Sequence, residues 1–308
     1  METAVVLLRW AQYMTSFVLT GGALFALYAL PTGGPSSAVA LGWPRRLLGE
    51  SAALLALASV LGLLLQTAVV AGSLAAALDP ATLASVITEM AMGAASLVRA
   101  AAAALALAVL LFAPQGRVGW IATAGLGGVA TASMAWMGHG AATEGLAGGV
   151  HLLADLAHLA AAAVWVGALA FFVGLASDRR RDADRTAVFH AALAGFSGVG
   201  SALVAVLVAS GLVNSWFLVG PSGWPALAAT AYGRLLLFKL VLFAVMVALA
   251  AANRFRLTPA LRTALADPTR TDSAVMALRR SLQLELGVAL AVVALVAWLG
   301  RLAPITAQ

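Results

Sequence analysis

Residues 150–176 read VHLLADLAHLAAAAVWVGALAFFVGLA. The run is longer than the roughly 20 helical residues that cross a bilayer at 1.5 Å of rise each. It also carries His151, Asp155 and His158, side chains that hydrocarbon does not tolerate without a partner or a task. The first property decides the fold class, and the second marks where to look for function.

The rest of the chain has the same character. Hydrophobic residues make up 63% of its 308 positions and charged residues only 10%, against about a quarter charged in a soluble domain. Eight apolar runs are legible, at 4–30, 47–77, 91–113, 118–138, 150–176, 187–218, 230–252 and 279–302. They are too long, and too rich in alanine and leucine, for the short alternating strands of a membrane barrel. The expectation is an all-α polytopic membrane protein: a single membrane domain forming an eight-helix transmembrane bundle. The first run lacks a basic leader segment, since Glu2 comes first and Arg9 lies inside the apolar stretch, so it reads as a retained helix. Without cysteine there are neither disulfides nor thiolate metal sites.

Arginine placement sets the orientation. Arg45, Arg46, Arg117, Arg179, Arg180, Arg181 and Arg185 fall in alternate connections, and Arg254, Arg256, Arg262, Arg270, Arg279 and Arg280 in the last long one. The intervening connections hold Asp79, Glu89 and Glu144, with no basic residue until Arg234. Positive charge stays on the cytoplasmic side, so both termini are expected to be extracytoplasmic. A basic pI otherwise invites a nucleic-acid reading, but arginines at helix ends are explained by orientation, and no nucleic-acid partner is expected. The partner is the lipid bilayer.

Topology converts sequence position into depth. The fifth span enters from outside at Val150, which places His151 at the surface, Asp155 roughly 7 Å down and His158 roughly 12 Å down at that rise per residue. The three lie within about 60° of one another around the helix, on one face. His139 ends the fourth span on the same side, and Glu144 lies in the glycine-rich connection that follows. Met134 and Met137 occupy the last turns of the fourth span, and Met90 and Met92 the start of the third. Gln66, Arg99, Asn214 and Lys239 fall at similar depth, so a shared polar cavity opening outward is expected.

Imidazole, thioether and carboxylate together suit copper, as Cu(I) or Cu(II), better than the all-oxygen preference of calcium or magnesium. The candidate ligands are His139, His151, His158, Asp155, Met134 and Met137, followed by Met90, Met92 and Glu144. Trp165, Arg99, Lys239 and Glu285 are candidates for supporting them or for lining a path. Inward of His158 the sequence offers only Trp165, Ser201, Asn253 and Glu285.

Structural readings stand beside these. Asp155 can pair with Arg99 or Lys239, and Glu285 with Arg279, Arg280 or Arg254. Methionine is ordinary packing in an apolar helix, and His190 reads as an interface residue beside the arginines. Gly125–Gly128 and Gly195–Gly198 have the spacing of close helix contacts.

Four segments carry a family likeness. DLAHLAAAAVWVGAL (155–169), TAYGRLLLFKLVLF (230–243), ANRFRLTPAL (252–261) and LRRSLQLELGVAL (278–290) resemble the CopD/PcoD family of bacterial copper-resistance membrane proteins. The likeness covers a core of about 138–300, and the first three spans by topology only. It implies an inner-membrane protein of copper homeostasis that takes copper from a periplasmic carrier of the CopC type and moves it inward. It points to His139, His151, Asp155, His158 and Trp165. Some family members carry a fused carrier domain; here a separate partner is implied.

Two other readings stay open: a b-type haem electron-transfer protein with His139 and His158 as axial ligands, and a copper-delivery scaffold that does not transport. An enzyme is not expected, since no nucleotide-binding loop, Cys-Pro-Cys or hydrolase signature is present. Inward cation movement needs no nucleotide, because an inside-negative potential favours it by roughly 2.3 kcal/mol per charge per 100 mV.

Overall fold

A computed structural model describes residues 2–30, 42–114, 116–138, 143, 145–178 and 182–307. Among these, every regular element is helical. In chain order they are α1 (Glu2–Ala29), α2 (Trp43–Ala71), α3 (Leu74–Ala77), α4 (Pro80–Glu89), α5 (Ala91–Phe112) and α6 (Arg117–Ala132), the last extended by a 3-10 turn at Ser133–Met137. Then come α7 (Gly145–Ser177), α8 (Ala183–Val219), α9 (Ala226–Ala229) and α10 (Ala231–Ala252), which runs through a π-turn (Asn253–Leu257) into α11 (Thr258–Ala264). Helix α12 (Pro268–Leu299) closes the chain, followed by a short 3-10 turn at Ile305–Ala307.

Local chemistry explains where the boundaries depart from the apolar runs. Gly72, at φ 78°, ends α2 in the left-handed conformation, six residues before the expected end of the second run. Ser73 then accepts a hydrogen bond from the backbone of Ala76, and Asp79 caps α4 at Thr82 with Pro80 in the first turn. The second connection therefore holds a helix of its own. Similarly, Asp267-Pro268 does more than break a helix: Asp267 accepts from the Thr269 backbone and starts α12 there. Arg279 and Arg280 consequently ride on a continuous helix instead of a loop.

Among the described residues seven helical stretches are long and apolar enough to cross a membrane: 43–71, 91–112, 117–137, 145–177, 183–219, 231–264 and 269–299. The expected first span is helical over 28 residues, but it is more polar. Its position accounts for that. Helix α1 is surrounded by α2, α6, α7 and α12, so Arg9, Gln12, Ser16 and Thr20 are buried against protein instead of facing lipid.

Helices α1 and α7 cross closely at the centre. A side chain at Gly167 would meet the Gly21–Gly22 backbone at 2.4 Å, and one at Gly21 would meet the Ala163 carbonyl at 2.0 Å. Only glycine permits that approach. The glycine pairs singled out by spacing do not share it: Gly125, Gly128, Gly195 and Gly198 face open space, whereas Gly127, between the first two, packs on Thr20. Spacing indicates which residues share a helix face; it does not say which face meets a neighbour.

At the opposite side of the bundle α8 packs on α7, and α10 on α12. Residues of α8 and α10 line the cavities between these pairs, above a floor made by α7 and α12. At the arginine-rich end, Arg45 donates to the Leu110 and Ala113 carbonyls that finish α5, and Arg185 bonds Asp178 across the α7–α8 connection.

Candidate functional site

Helix α7 delivers His151, Asp155 and His158 to one cavity of about 180 Å³. Arg9 and Tyr13 of α1, Asn214 and Ser215 of α8, and Tyr232 and Lys239 of α10 complete its polar lining. The single-face spacing of 151, 155 and 158 thus has the expected consequence: all three side chains reach a common space.

Each imidazole is held. His151 is 2% exposed, with Nδ1 at 2.9 Å from Thr143 Oγ1 and its ring stacked on Phe217 at 4.6 Å and 10°. His158 Nδ1 lies 2.9 Å from Ser210 Oγ. The Ser210 hydroxyl has one hydrogen and gives it to the Val206 carbonyl at 2.6 Å. Ser210 is therefore the acceptor, His158 carries its proton on Nδ1, and Nε2 keeps its lone pair. An oriented imidazole with one nitrogen engaged behind it is the arrangement that metal-ligating histidines use.

Asp155 forms no ion pair within 4.0 Å among the described residues, and Lys239 is the cation that acts on it across the cavity. The alternative pairing with Arg99 does not form. Arg99 is wholly buried in a separate cluster, where Nη1 donates to Gln12 Oε1 at 2.9 Å, to Met134 Sδ at 2.8 Å and to Met137 Sδ. The thioethers of Met134 and Met137 are thus directed at a guanidinium and not into the α7 cavity. Met90 caps α5, and Met92 lies in its first turn, its carbonyl accepting from Ser96; neither lines the cavity.

His139 and Glu144 lie outside the described residues, although Gly138, next to His139, lines the cavity. Among the described residues no three His, Asp or Glu side chains form a group that would hold a metal unaided. His190 lines a separate cavity with Arg254 and Arg262 at the arginine-rich end.

Glu285 corrects an expectation. Its pairing with Arg279, Arg280 or Arg254 does not form. Trp165 Nε1 donates to Oε1 at 2.8 Å and Asn253 Nδ2 to Oε2 at 2.8 Å, while Arg254 donates to Ser201. Because α12 starts earlier than expected, Glu285 lies several turns into the bundle, with Arg279 and Arg280 exposed one to two turns nearer the end.

Ser210 and Thr143, which orient the two imidazoles, were not legible in advance. A serine in an apolar helix commonly bonds its own preceding turn, as Ser210 also does, and no spacing rule ties it to a histidine 52 positions away.

Comparison with known proteins bears on the whole chain. Residues 1–150 match the family described as "Copper resistance protein D-like, N-terminal domain", and residues 190–299 match "Copper resistance protein D". The chain is 38% identical over 303 residues to "Copper resistance protein D" of Pseudomonas syringae pv. tomato, covering 97% of this chain and 96% of that one. It is 31% identical over 237 residues to "Copper transport protein CutJ" of Bacillus subtilis, covering 75% of this chain and 43% of that one. It is 33% identical over 132 residues to "Inner membrane protein YebZ" of Escherichia coli, covering 42% and 43% respectively. No solved structure matches the chain.

Proposed function

From its membership of the copper resistance protein D family, a family of copper-handling membrane proteins, we propose that this chain binds copper in the α7 cavity and passes it inward across the bacterial inner membrane. The observation that carries the reading is the His158 ring, held at Nδ1 by Ser210 and sharing one cavity with His151 and Asp155.

Copper is cargo here. In this reading His158 and His151 are the imidazole ligands, Asp155 adds a carboxylate that offsets the ion's charge, and His139 and Glu144 complete the set from the 138–144 segment. Lys239 raises the cost of a resident cation and so favours release over storage. Met134 and Met137 serve Arg99 instead: a metal ion on either sulfur would sit against a buried guanidinium, and like charges at that distance repel. The arginine-rich end faces the cytoplasm, the cavity faces the periplasm, and a separate carrier of the CopC type supplies the ion. Entry follows the membrane potential, and no nucleotide chemistry is involved.

The test measures copper affinity of the purified protein by chelator competition, and copper entry into proteoliposomes holding an internal copper indicator. His158→Ala is expected to lower affinity by more than the roughly 10- to 100-fold that loss of an orienting partner causes, and to abolish entry. Tight binding without entry reassigns the protein as a delivery scaffold. Unchanged affinity in His158→Ala sinks the site.

A further inference from the structure

Glu285 is a buried carboxylate, 2% exposed, with no cation within ion-pair distance among the described residues. It borders a cavity of about 300 Å³ that Ser201, Arg254 and Thr258 of the arginine-rich end also line. Neutral N–H donors on its two oxygens fix the carboxylate in place, but they do not cancel its charge, and an uncompensated buried charge is costly. Something in that cavity must neutralise it, and the oxygen atoms around it are hard donors, ill suited to Cu(I).

We propose that Glu285 is a proton-binding site loaded from the arginine-rich side, with Asn253 accommodating both of its protonation states and Trp165 relaying them to α7. The evidence is in Asn253. Its Nδ2 faces Glu285 Oε2, as a carboxylate requires, while its Oδ1 is buried without a hydrogen-bond partner among the described residues. Asn253 is itself 6% exposed and sits on the π-turn that joins α10 to α11, a helix irregularity that recurs at functional sites.

When a proton from water in the cavity binds Oε2, that oxygen becomes an O–H donor and no longer suits the Nδ2 donor opposite it. A half-turn of the amide brings Oδ1 into the same place as an acceptor. The unpartnered oxygen is thus the spare half of a two-state holder. Trp165 keeps Oε1 in both states. Its ring also lines the next cavity, of about 290 Å³, together with His158 and Lys239, and it lies seven residues after His158 on α7.

The charged groups around the site are few. Arg254 lines the cavity from the π-turn but donates to Ser201. Lys239 acts from α10 through the neighbouring cavity. His190 and Arg262 line the adjoining one, and Arg279 and Arg280 are exposed on α12 itself. The proton site stands apart from the copper reading; only a role in coupling would rest on it.

Infrared difference spectra of the metal-free protein in nanodiscs, recorded as pH is varied, test the proposal directly. A protonated-carboxyl band is expected that disappears in Glu285→Gln and shifts in Asn253→Ala. An indole N–H band absent in Trp165→Phe should move with it. Glu285→Gln is expected to fold, because its amide can accept from Trp165 and donate to the turned Asn253. If it does not, Asn253→Ala, which keeps the carboxylate, decides through the band shift. The proposal is overturned if every pH-dependent carboxyl band, including any that Asp155 contributes, is unchanged in Glu285→Gln, if the band lost in that variant is unmoved in Asn253→Ala, or if it follows sodium at fixed pH instead of pH. These measurements contain no copper, so loss of copper entry with an intact Glu285 band sinks the copper reading alone.

Discussion

Two polar groupings made of ligand-type side chains sit within the apolar bundle, and they are built in opposite ways. In the α7 cavity His158 has one nitrogen engaged and the other left with its lone pair, beside a carboxylate without an ion-pair partner among the described residues. Around Arg99, by contrast, two thioethers and the Gln12 oxygen all point at one guanidinium. Both groupings are clusters in space, but the first comes largely from one helix and the second from residues 12, 99, 134 and 137. In the proposed reading, the cavity differs from the Arg99 brace in having no guanidinium already seated on its ligand atoms.

The two regions share one support, the α1–α7 crossing. Helix α1 gives Gln12 to the Arg99 cluster and Arg9 and Tyr13 to the cavity. The largest effect is therefore expected from Gly167→Leu, which drives a side chain into the Gly21–Gly22 backbone. Its cost should exceed the roughly 1–3 kcal/mol typical of an overpacked core. Loss of monodisperse protein on size-exclusion chromatography would show both groupings failing together; a well-folded variant would mean that they do not depend on this contact.

Ser210→Ala separates the regions. It frees the His158 ring to take either tautomer and should weaken copper binding about 10- to 100-fold, with the thermal midpoint nearly unchanged. Equal binding by the variant would show that the histidine needs no orienting partner.

Met134→Leu and Met137→Leu should give the converse. Each removes an acceptor from buried Arg99, so a stability loss of about 1–3 kcal/mol is expected while copper affinity moves little. A large affinity loss with unchanged stability would make these thioethers ligands and erase the contrast.

The smallest effect lies outside the membrane-spanning segments. The backbone N–H of Thr82 holds Asp79 below the ordinary carboxylate value of 3.8, and the Thr269 hydroxyl does the same for Asp267. Depressed folded-state values mean that these caps contribute fully above the ordinary value and are lost as pH falls through the lowered one. Hydrogen exchange at Thr82 and Thr269 should rise under that acidification, ahead of any change in the spans. Simultaneous change throughout would show that the caps do not open first.

Fold class was legible because burial in a bilayer leaves a one-dimensional trace: long apolar runs, arginines at alternate ends and a three-to-four-residue spacing for a shared face. The α7 triad was legible for the same reason, since one helix carries all of it. The partners of Glu285 were harder to foresee. Trp165 and Asn253 lie 120 and 32 positions away from it, and nearby arginines offered a nearer electrostatic answer that the early start of α12 removed.

Sequence alone thus determined the all-helical membrane class and the face on which His151, Asp155 and His158 lie. Each of these follows from local geometry and from how apolar a segment is. Tertiary structure decided which polar atoms are spent: that Arg99 occupies Met134 and Met137, that Ser210 aims His158, and that Glu285 is held by neutral donors. Hydrogen bonds between distant helices depend on how the helices are rotated and how closely they cross. Small residues such as Gly21 and Gly167 set that crossing through contacts that no single helix contains.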